Sequence, residues 1–414
     1  MAKFLIFCII TTSYKDVYNL DSYELANGLA LGTDLDSYPL MNADECFTIG
    51  KKAYWNADYY HCTLWMEAAW LLIQGGDESA GDGADVLDYF SFSLSQRGDI
   101  EQARDMTLQL IELRPNERRF RSNLEFYTKS VPMVTTFNNN FTVKHLPKPE
   151  HEYEYRNTYE RQCRGEGVGV PKELHSQLTC FYHHGRLDNV LAWAPVKTEI
   201  LYPNPLIVQF YDVISDAESE LVRNLANAEL KRATIRDPAT GLLTTAHYRV
   251  QKTAWLKEDT ALDTEDVVRR YNARIGAITG LNMETAELLQ MGNYGVGGQY
   301  EPHWDHQSFP GHVTVWDPEI GSRVATWLTY LSQPNMGGGT IFLRLNIQAQ
   351  PIKNSAVFWY NHLPNGESDD ETHHAACPVL SGTKWVSNKW FHIRGQEFYG
   401  RPCPLDKDQP NTYL

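Results

Sequence analysis

No apolar run in this chain is long enough to cross a bilayer. The best candidate, Phe4 to Ile10 (FLIFCII), falls well short of the roughly 20 residues a spanning helix needs. Placed after Lys3 and before small residues, it resembles a minimal signal peptide; an ordinary leading segment is the equal alternative. Positive charge is scarce as well. The 37 Lys and Arg stand against 52 Asp and Glu, a formal charge of −15. That argues against a broad nucleic-acid surface. The C-terminal NTYL is not a retention signal of the Lys-Asp-Glu-Leu type, so retention in a lumen would need a partner. Cysteine is limited to seven residues, whose connectivity sequence alone does not give. What the chain does have is a globular composition, 42% hydrophobic and 12% aromatic. Its 414 residues exceed one typical core and predict two or three domains.

The chemistry concentrates near the C-terminal end, in His303-Trp304-Asp305, His374 and Lys384. Side chains at i and i+2 of a strand share a face, so His303 and Asp305 can aim at one metal. Two imidazoles and a carboxylate form the facial ligand set of non-haem Fe(II) oxygenases, leaving three positions open. A lysine offers a cation for a dicarboxylate cosubstrate. Together they suggest 2-oxoglutarate-dependent hydroxylation. A His-x-Asp pair alone is usually just a polar surface pair. His306, His312, His362, His373 and His392 are also nearby, and spacing does not choose His374 over His373. The runs RVATWLTYLS (Arg323 to Ser332), SAVFWY (Ser355 to Tyr360) and WVSNKWFHI (Trp385 to Ile393) read as strands. They predict a jelly-roll barrel, a double-stranded β-helix, with the ligands at its mouth.

The front half reads differently. Residues 44–55, 58–73, 84–96 and 100–113 read as helices. The stretch RGDIEQARDMTLQLIELRP (Arg97 to Pro115) has the turn glycine, alanine spacing and terminal proline of a tetratricopeptide second helix. A helix over 119–127 would cap the array. Tyr54, Tyr59, Tyr60 and Tyr89 make this segment tyrosine-rich. Aromatic grooves bind polyproline II; packing between helices is the alternative, preferred for Tyr59 and Tyr60. The expected organisation is therefore α+β and multidomain: a possible leader at 1–17, an all-α TPR-like peptide-binding domain at 18–130, a linker at 131–160 and an oxygenase domain at 161–414 with its barrel core at about 285–398. A strand then a helix are expected over 206–230, with Ser215 as N-cap, and an amphipathic helix over 267–279.

NYGVGGQYEPHWD (Asn293 to Asp305), RVATWLTYLS, SAVFWYN, HAACPVLSGTKWVSNKW (His374 to Trp390) and RGQEF (Arg394 to Phe398) closely resemble the collagen prolyl 4-hydroxylase α-subunit family. The likeness runs from about Asn19 to Pro404. The resemblance implies His303, Asp305 and His374 as iron ligands and Lys384 as partner of the far carboxylate of 2-oxoglutarate. It implies Tyr294 and Thr326 as further cosubstrate residues, and Tyr300 and Trp385 along the peptide path. Core packing is the preferred reading for Trp327, Phe358 and Trp359. The implied reaction consumes O₂ and 2-oxoglutarate, releases succinate and CO₂ and makes 4-hydroxyproline, with L-ascorbate restoring oxidised iron. In the helical domain the resemblance selects Tyr54, Asp88, Tyr89 and Arg119 for the peptide groove.

The same resemblance implies disulfides Cys163–Cys180 and Cys377–Cys403, and hence an oxidising endoplasmic reticulum lumen. Cys46 and Cys62 would pair or remain buried thiols. Asn140-Phe141-Thr142 is a glycosylation acceptor sequence. Protein disulfide isomerase is the implied β partner. Departures from the family pattern are Phe92 and Phe126 in place of tyrosine, Leu343-Arg344 in place of Pro-Glu, and a start almost directly at YNLD (Tyr18 to Asp21), without the helical assembly segment. The expected activity is that of a procollagen-proline 4-dioxygenase. The alternatives are a prolyl hydroxylase for another secreted Pro-rich protein, or a polyproline-binding subunit without turnover.

Overall fold

The computed structural model describes residues 14–31, 33–34, 40–131, 148, 154–185, 189–236, 242–246, 248–258, 264–306 and 319–396. The leader-like run at 4–10, the acceptor sequence at 140–142, His312 and Cys403 lie outside the described residues. The chain divides into two compact units, Met1–Glu154 and Tyr155–Leu414.

The first unit is helical: α1 (Ser22–Ala26), α2 (Ala43–Trp55), α3 (Tyr59–Gln74), α4 (Ala84–Gln96), α5 (Ile100–Leu113) and α6 (Arg118–Ser130). Local chemistry sets the boundaries. Asn42 accepts the Glu45 N–H at 2.9 Å, while the Glu45 carboxylate accepts the Asn42 N–H at 3.0 Å, a reciprocal cap. Asp58 caps α3 and Asp99 caps α5 one-way, accepting the N–H groups of His61 and Gln102. Gly98, at φ 87°, makes the left-handed turn from α4 to α5. Helices α2 and α3 approach closely at Gly50. A β-carbon there would sit 3.0 Å from the Met66 methyl and 3.3 Å from Trp65 Cβ. Trp65, Met66, Leu87, Phe90, Leu94 and Leu110 fill the interior. Cys46 and Cys62 are both free and buried. Burial pushes each thiol up to about 12; Cys62 instead accepts from Ser93.

The second unit is built on two larger antiparallel sheets, with two small two-stranded pairings beside them. The strands of the larger sheets are β1 (Cys180–His183), β2 (Val196–Pro203), β3 (Leu206–Tyr211), β4 (Lys231–Arg232), β5 (Arg249–Val250), β6 (Lys252–Leu256), β7 (Leu289–Tyr294), β8 (Gln299–His303), β9 (Arg323–Tyr330), β10 (Thr340–Phe342), β11 (Ile347–Ala349), β12 (Ala356–Tyr360), β13 (His374–Ala376) and β14 (Lys384–His392). A nine-stranded sheet runs β1-β2-β3-β12-β9-β14-β7-β6-β4, and a five-stranded sheet β11-β10-β13-β8-β5. Period-two alternation assigns side chains to opposite faces. On one face of the large sheet, Phe210, Trp327, Phe358 and Phe391 join Val222, Val267, Tyr271 and Ile275 in one core. The last four come from helices α8 (Asp216–Asn227) and α9 (Thr264–Thr279). Ser215 caps α8 through a reciprocal box with Glu218. On the other face, Ile207, Tyr294, Tyr330, Trp359 and Val386 pack with Phe342 of the small sheet.

Two expectations meet the structure here. Most of the linker expected at 131–160 lies outside the described residues, and its last five residues belong to a helix, α7 (Arg156–Cys163), whose side chains brace the small sheet. Arg156 bonds Glu160 at 2.6 Å and Glu301 at 3.2 Å, Tyr159 donates to Gln299 and Gln162 donates to the Leu343 carbonyl. That docking also corrects the disulfide. Cys163 is joined to Cys377, with Cα atoms 5.5 Å apart, so neither Cys163–Cys180 nor Cys377–Cys403 forms. Helix α7 sets Cys163 beside the small sheet, just after β13, whereas Cys180 begins β1 at the edge of the large sheet and is exposed and free.

Candidate active site

His303 ends β8 and His374 begins β13. The two are register partners across the small sheet, their rings 4.4 Å apart. One ligand atom each from His303, Asp305 and His374 lie within 4.8 Å of one another. The tautomers follow from the partners. Nδ1 of His303 lies 2.8 Å from the Glu301 carbonyl, and Nδ1 of His374 lies 2.9 Å from the Thr372 carbonyl. A carbonyl only accepts, so each Nδ1 carries the hydrogen and each Nε2 keeps its lone pair. Those Nε2 atoms face Asp305, at 3.8 and 3.7 Å from its two oxygens. Burial, then the neighbouring His374, hold the His303 imidazole well below its usual range and so neutral. Burial opposes ionisation of Asp305, but His374, His303, Arg323 and the Trp390 N–H outweigh it and hold the carboxyl well below the ordinary range. Two imidazole nitrogens and a carboxylate suit a divalent ion such as Fe(II).

His373, which spacing could not separate from His374, lies elsewhere. Its ring stacks on Trp304 at 3.8 Å and 12°. It is not one of the clustered ligands.

The triad lines a pocket shared with Arg249, Gln251, Tyr294, Tyr300, Thr340, Trp359, Lys384, Asn388 and Trp390. Lys384 is 1% exposed, and its ammonium has no hydrogen-bond partner among the described residues. The rings of Tyr294 and Tyr330 each lie 5.4 Å away. Burial pulls the amine down to about 7. A buried, unpaired cation on the wall of the same pocket as the triad is a built receptor for an anion. Tyr294, expected at the cosubstrate, does share this wall, and Gln251 joins it: with its amide nitrogen toward Tyr294, it donates to that hydroxyl at 2.9 Å and accepts from Arg249. Tyr300 stacks on His303 at 3.6 Å and carries the Arg249 guanidinium 4.8 Å above its ring.

Two expected roles change. The Thr326 hydroxyl is not part of the cavity wall; it donates to Asp305 Oδ2 at 2.8 Å and accepts from Asn361 at 2.9 Å. Trp385 packs against the core beneath α8 and α9. Alternation along β14 explains this: Lys384, Val386, Asn388 and Trp390 face the cavity, so Trp385 must face away. The same parity, applied to Lys384 in the sequence, flags Trp390, whose indole N–H donates to Asp305 Oδ2 at 2.9 Å. Trp327 and Phe358 are core as expected, but Trp359 also lines the cavity, edge-on to His374 at 4.8 Å. Arg249 and Asn361 carried no sequence signal, because each is placed by a strand pairing between distant segments. Leu343 and Arg344 lie off the ligand positions; Arg344 reaches Glu371 and Tyr155.

In the helical unit, Tyr54 packs edge-on against Tyr89 at 4.8 Å, Phe92 at 5.5 Å and Tyr59 at 5.9 Å. All four rings are half-buried. Arg119 donates to Asp88 from both terminal guanidinium nitrogens, Nη1 to Oδ1 at 2.9 Å and Nη2 to Oδ2 at 2.5 Å. Tyr54, Asp88, Tyr89 and Arg119 thus come from α2, α4 and α6 of one array. Tyr60 stands apart, against His61 and under Arg97.

Comparison with known proteins identifies both units. Residues 43–132 match the prolyl 4-hydroxylase peptide-substrate-binding domain, and residues 289–392 match the 2OG-Fe(II) oxygenase superfamily. The prolyl 4-hydroxylase subunit alpha-1 of Rattus norvegicus is 43% identical over 410 residues, covering 95% of this chain and 74% of the relative. The chain belongs to the prolyl 4-hydroxylase α-subunit family. Subunit alpha-2 of Gallus gallus is 43% identical over 94% of this chain and 73% of its own length. Subunit alpha-2 of Caenorhabditis elegans is 38% identical over 97% and 72%. As a member of the prolyl 4-hydroxylase family the chain is a dioxygenase that hydroxylates proline with Fe(II) and 2-oxoglutarate. Its front unit is a peptide-substrate-binding domain. No helix among the described residues is long and apolar enough to cross a membrane.

Proposed function

We propose that this α-type subunit is a procollagen-proline 4-dioxygenase acting on X-Pro-Gly peptides. His303, Asp305 and His374 would hold Fe(II), and Lys384 the far carboxylate of 2-oxoglutarate. The observation that carries the reading is a clustered His-Asp-His set and an unpaired buried ammonium lining one cavity. Bound iron with its cosubstrate supplies O₂ activation and oxidative decarboxylation to succinate and CO₂. The chain supplies position and shielding. The Glu301 and Thr372 carbonyls fix the imidazole tautomers. Tyr294, Tyr330 and Trp359 wall the cosubstrate from water. Tyr300 and Arg249 border the same cavity, where a proline ring would approach. We place the peptide-binding domain at residues 18–130 and the oxygenase domain at 161–414, and the groove at Tyr54, Asp88, Tyr89 and Arg119.

Protein disulfide isomerase as β subunit, the endoplasmic reticulum lumen and ascorbate as reductant belong to this reading. The bonded Cys163–Cys377 pair is compatible with an oxidising compartment. A second reading, a paralogue for another secreted Pro-rich protein, draws support from Phe92, which contributes no hydroxyl to the aromatic cluster. Incubating the purified protein with a (Pro-Pro-Gly) repeat, Fe(II) and 2-oxoglutarate tests the first. Mass spectrometry should find one added oxygen on proline, lost in His374→Ala. Oxygen on lysine, or none at all on any Pro-rich peptide, would defeat it.

A further inference from the structure

Asp305 has two carboxylate oxygens with unequal surroundings. Oδ2 receives the Thr326 hydroxyl at 2.8 Å and the Trp390 indole N–H at 2.9 Å. Two donors use both lone pairs of that oxygen. Oδ1 receives no hydrogen bond among the described residues. His303 Nε2 lies 3.8 Å from Oδ1 and His374 Nε2 lies 3.7 Å from Oδ2, so the two oxygens differ in the donors they receive and not in their distance to the imidazoles. The direction of the Thr326 bond matters, since a hydroxyl can donate only once. Asn361 Nδ2 donates to Thr326 Oγ1 at 2.9 Å, so the one hydroxyl hydrogen of Thr326 goes to Asp305 Oδ2. Asn361 is 0% exposed and its own Oδ1 has no partner among the described residues. An amide turned the other way would present an acceptor to Thr326 and draw the hydroxyl proton from Asp305. In the orientation present, the amide nitrogen serves Thr326 while the amide oxygen stays without a partner among the described residues.

We infer that Asn361 is a positioning residue for the metal, acting through Thr326 to saturate Asp305 Oδ2, together with Trp390, and to reserve Oδ1 as the single ligating oxygen. The inference rests on the iron reading above. Its consequence is geometric. A carboxylate that ligates through both oxygens would take a position that the cosubstrate or O₂ requires. One oxygen held back by two donors keeps three positions open. Asn361 touches neither metal nor substrate, and its effect is on ligand orientation.

Anaerobic Mn(II) titration of the full chain tests this by calorimetry, with Co(II) absorption reporting coordination. The parent must bind one ion, and binding must vanish in His374→Ala; if the parent binds none, the iron reading itself fails. Given a binding parent, Thr326→Val should weaken Mn(II) by about 10–100-fold and Asn361→Leu on the order of tenfold. Both should shift the Co(II) bands. Thr326→Ser, which keeps the hydroxyl, should restore affinity and spectrum. Folded Thr326→Val and Asn361→Leu proteins with parental affinity and parental Co(II) bands would overturn the inference. If Asn361→Leu does not fold, Trp390→Phe takes its place, since it removes the other donor to the same oxygen. Parental behaviour in Trp390→Phe and Thr326→Val together would overturn it equally.

Discussion

Lys384 yields the sharpest test, because its charge is set by burial alone. Its amine titrates near 7 when the cavity is empty, the cause being desolvation. A dicarboxylate must meet the ammonium, so binding above that pH takes up a proton. The neutral fraction then competes with binding. Between pH 7 and pH 9 the apparent dissociation constant of 2-oxoglutarate should rise about fiftyfold, close to tenfold per unit at the upper end. A 2-oxo monocarboxylate, which lacks the far carboxylate, should show no such slope. Lys384→Met should lose about 3 kcal/mol or more of cosubstrate binding, on the order of a hundredfold, by removing one partner of a buried pair. Stability moves the other way. The folded pKa lies below the unfolded value near 10.5, so the buried charge destabilises the apoprotein fully below about pH 7. That cost is relieved as pH rises from 7 toward 10.5. Lys384→Met should therefore raise the apoprotein Tm at pH 7. Anaerobic calorimetry of the Mn(II)-loaded protein measures the first effect and a thermal scan the second. A flat pH profile for 2-oxoglutarate from 7 to 9, or unchanged binding in Lys384→Met, would refute the reasoning.

Three further outcomes follow from other sites. Trp385→Leu should cost about 1–2 kcal/mol of stability, since the ring packs on the core, while leaving peptide affinity unchanged; weaker peptide binding at unchanged Tm would return Trp385 to the peptide path. Arg119→Ala removes a largely exposed ion pair with Asp88, so Tm should move little. Proline-peptide affinity measured by fluorescence should nonetheless fall, and an unchanged value would take Arg119 out of the groove. His61 sits between Asp58 at 2.6 Å and Asp16 at 3.3 Å. Burial works against its charge, but these two carboxylates prevail and raise the imidazole. The resulting stabilisation is complete below the unfolded value near 6.5 and fades as pH climbs through the higher folded value. Thermal scans of His61→Gln should show a larger loss at pH 6 than at pH 8; equal losses would contradict this.

What the sequence reveals depends on how local the cause is. The helices of the front unit were legible because caps and turns are local: Asn42, Asp58, Gly98 and Asp99 each act within a few residues. His303 and Asp305 were legible as an i, i+2 pair. Trp385 was misread although the rule that excludes it was at hand, since it cannot share a face with Lys384. Arg249 and Asn361 were invisible for a different reason. Strand β5 reaches the site only by pairing with β8, and Asn361 reaches Thr326 only because β12 lies beside β9. The disulfide fails likewise: the docking of α7 on the small sheet, 214 residues distant in sequence, decides the partner of Cys163.

The choice between His373 and His374 shows how much the sheet itself decides. Strand β13 is held on both sides. His374 stands opposite His303 on β8 and opposite Phe342 on β10, with Ala375 opposite Ile341 and Ala376 opposite Thr340. A slip of one residue would reverse every side chain of β13. It would carry His373 into the cavity and His374 out toward Trp304. The stack of His373 on Trp304 and the edge contact from Tyr155 at 4.8 Å oppose that slip from outside. The packing of Phe342 and Trp359 against His374 opposes it from within. Two adjacent histidines are thus distinguished by strand parity and by the rings that receive them. Exchange of the two residues' roles would require β13 to re-register against both β8 and β10, so His373 should not substitute for His374 when the latter is removed.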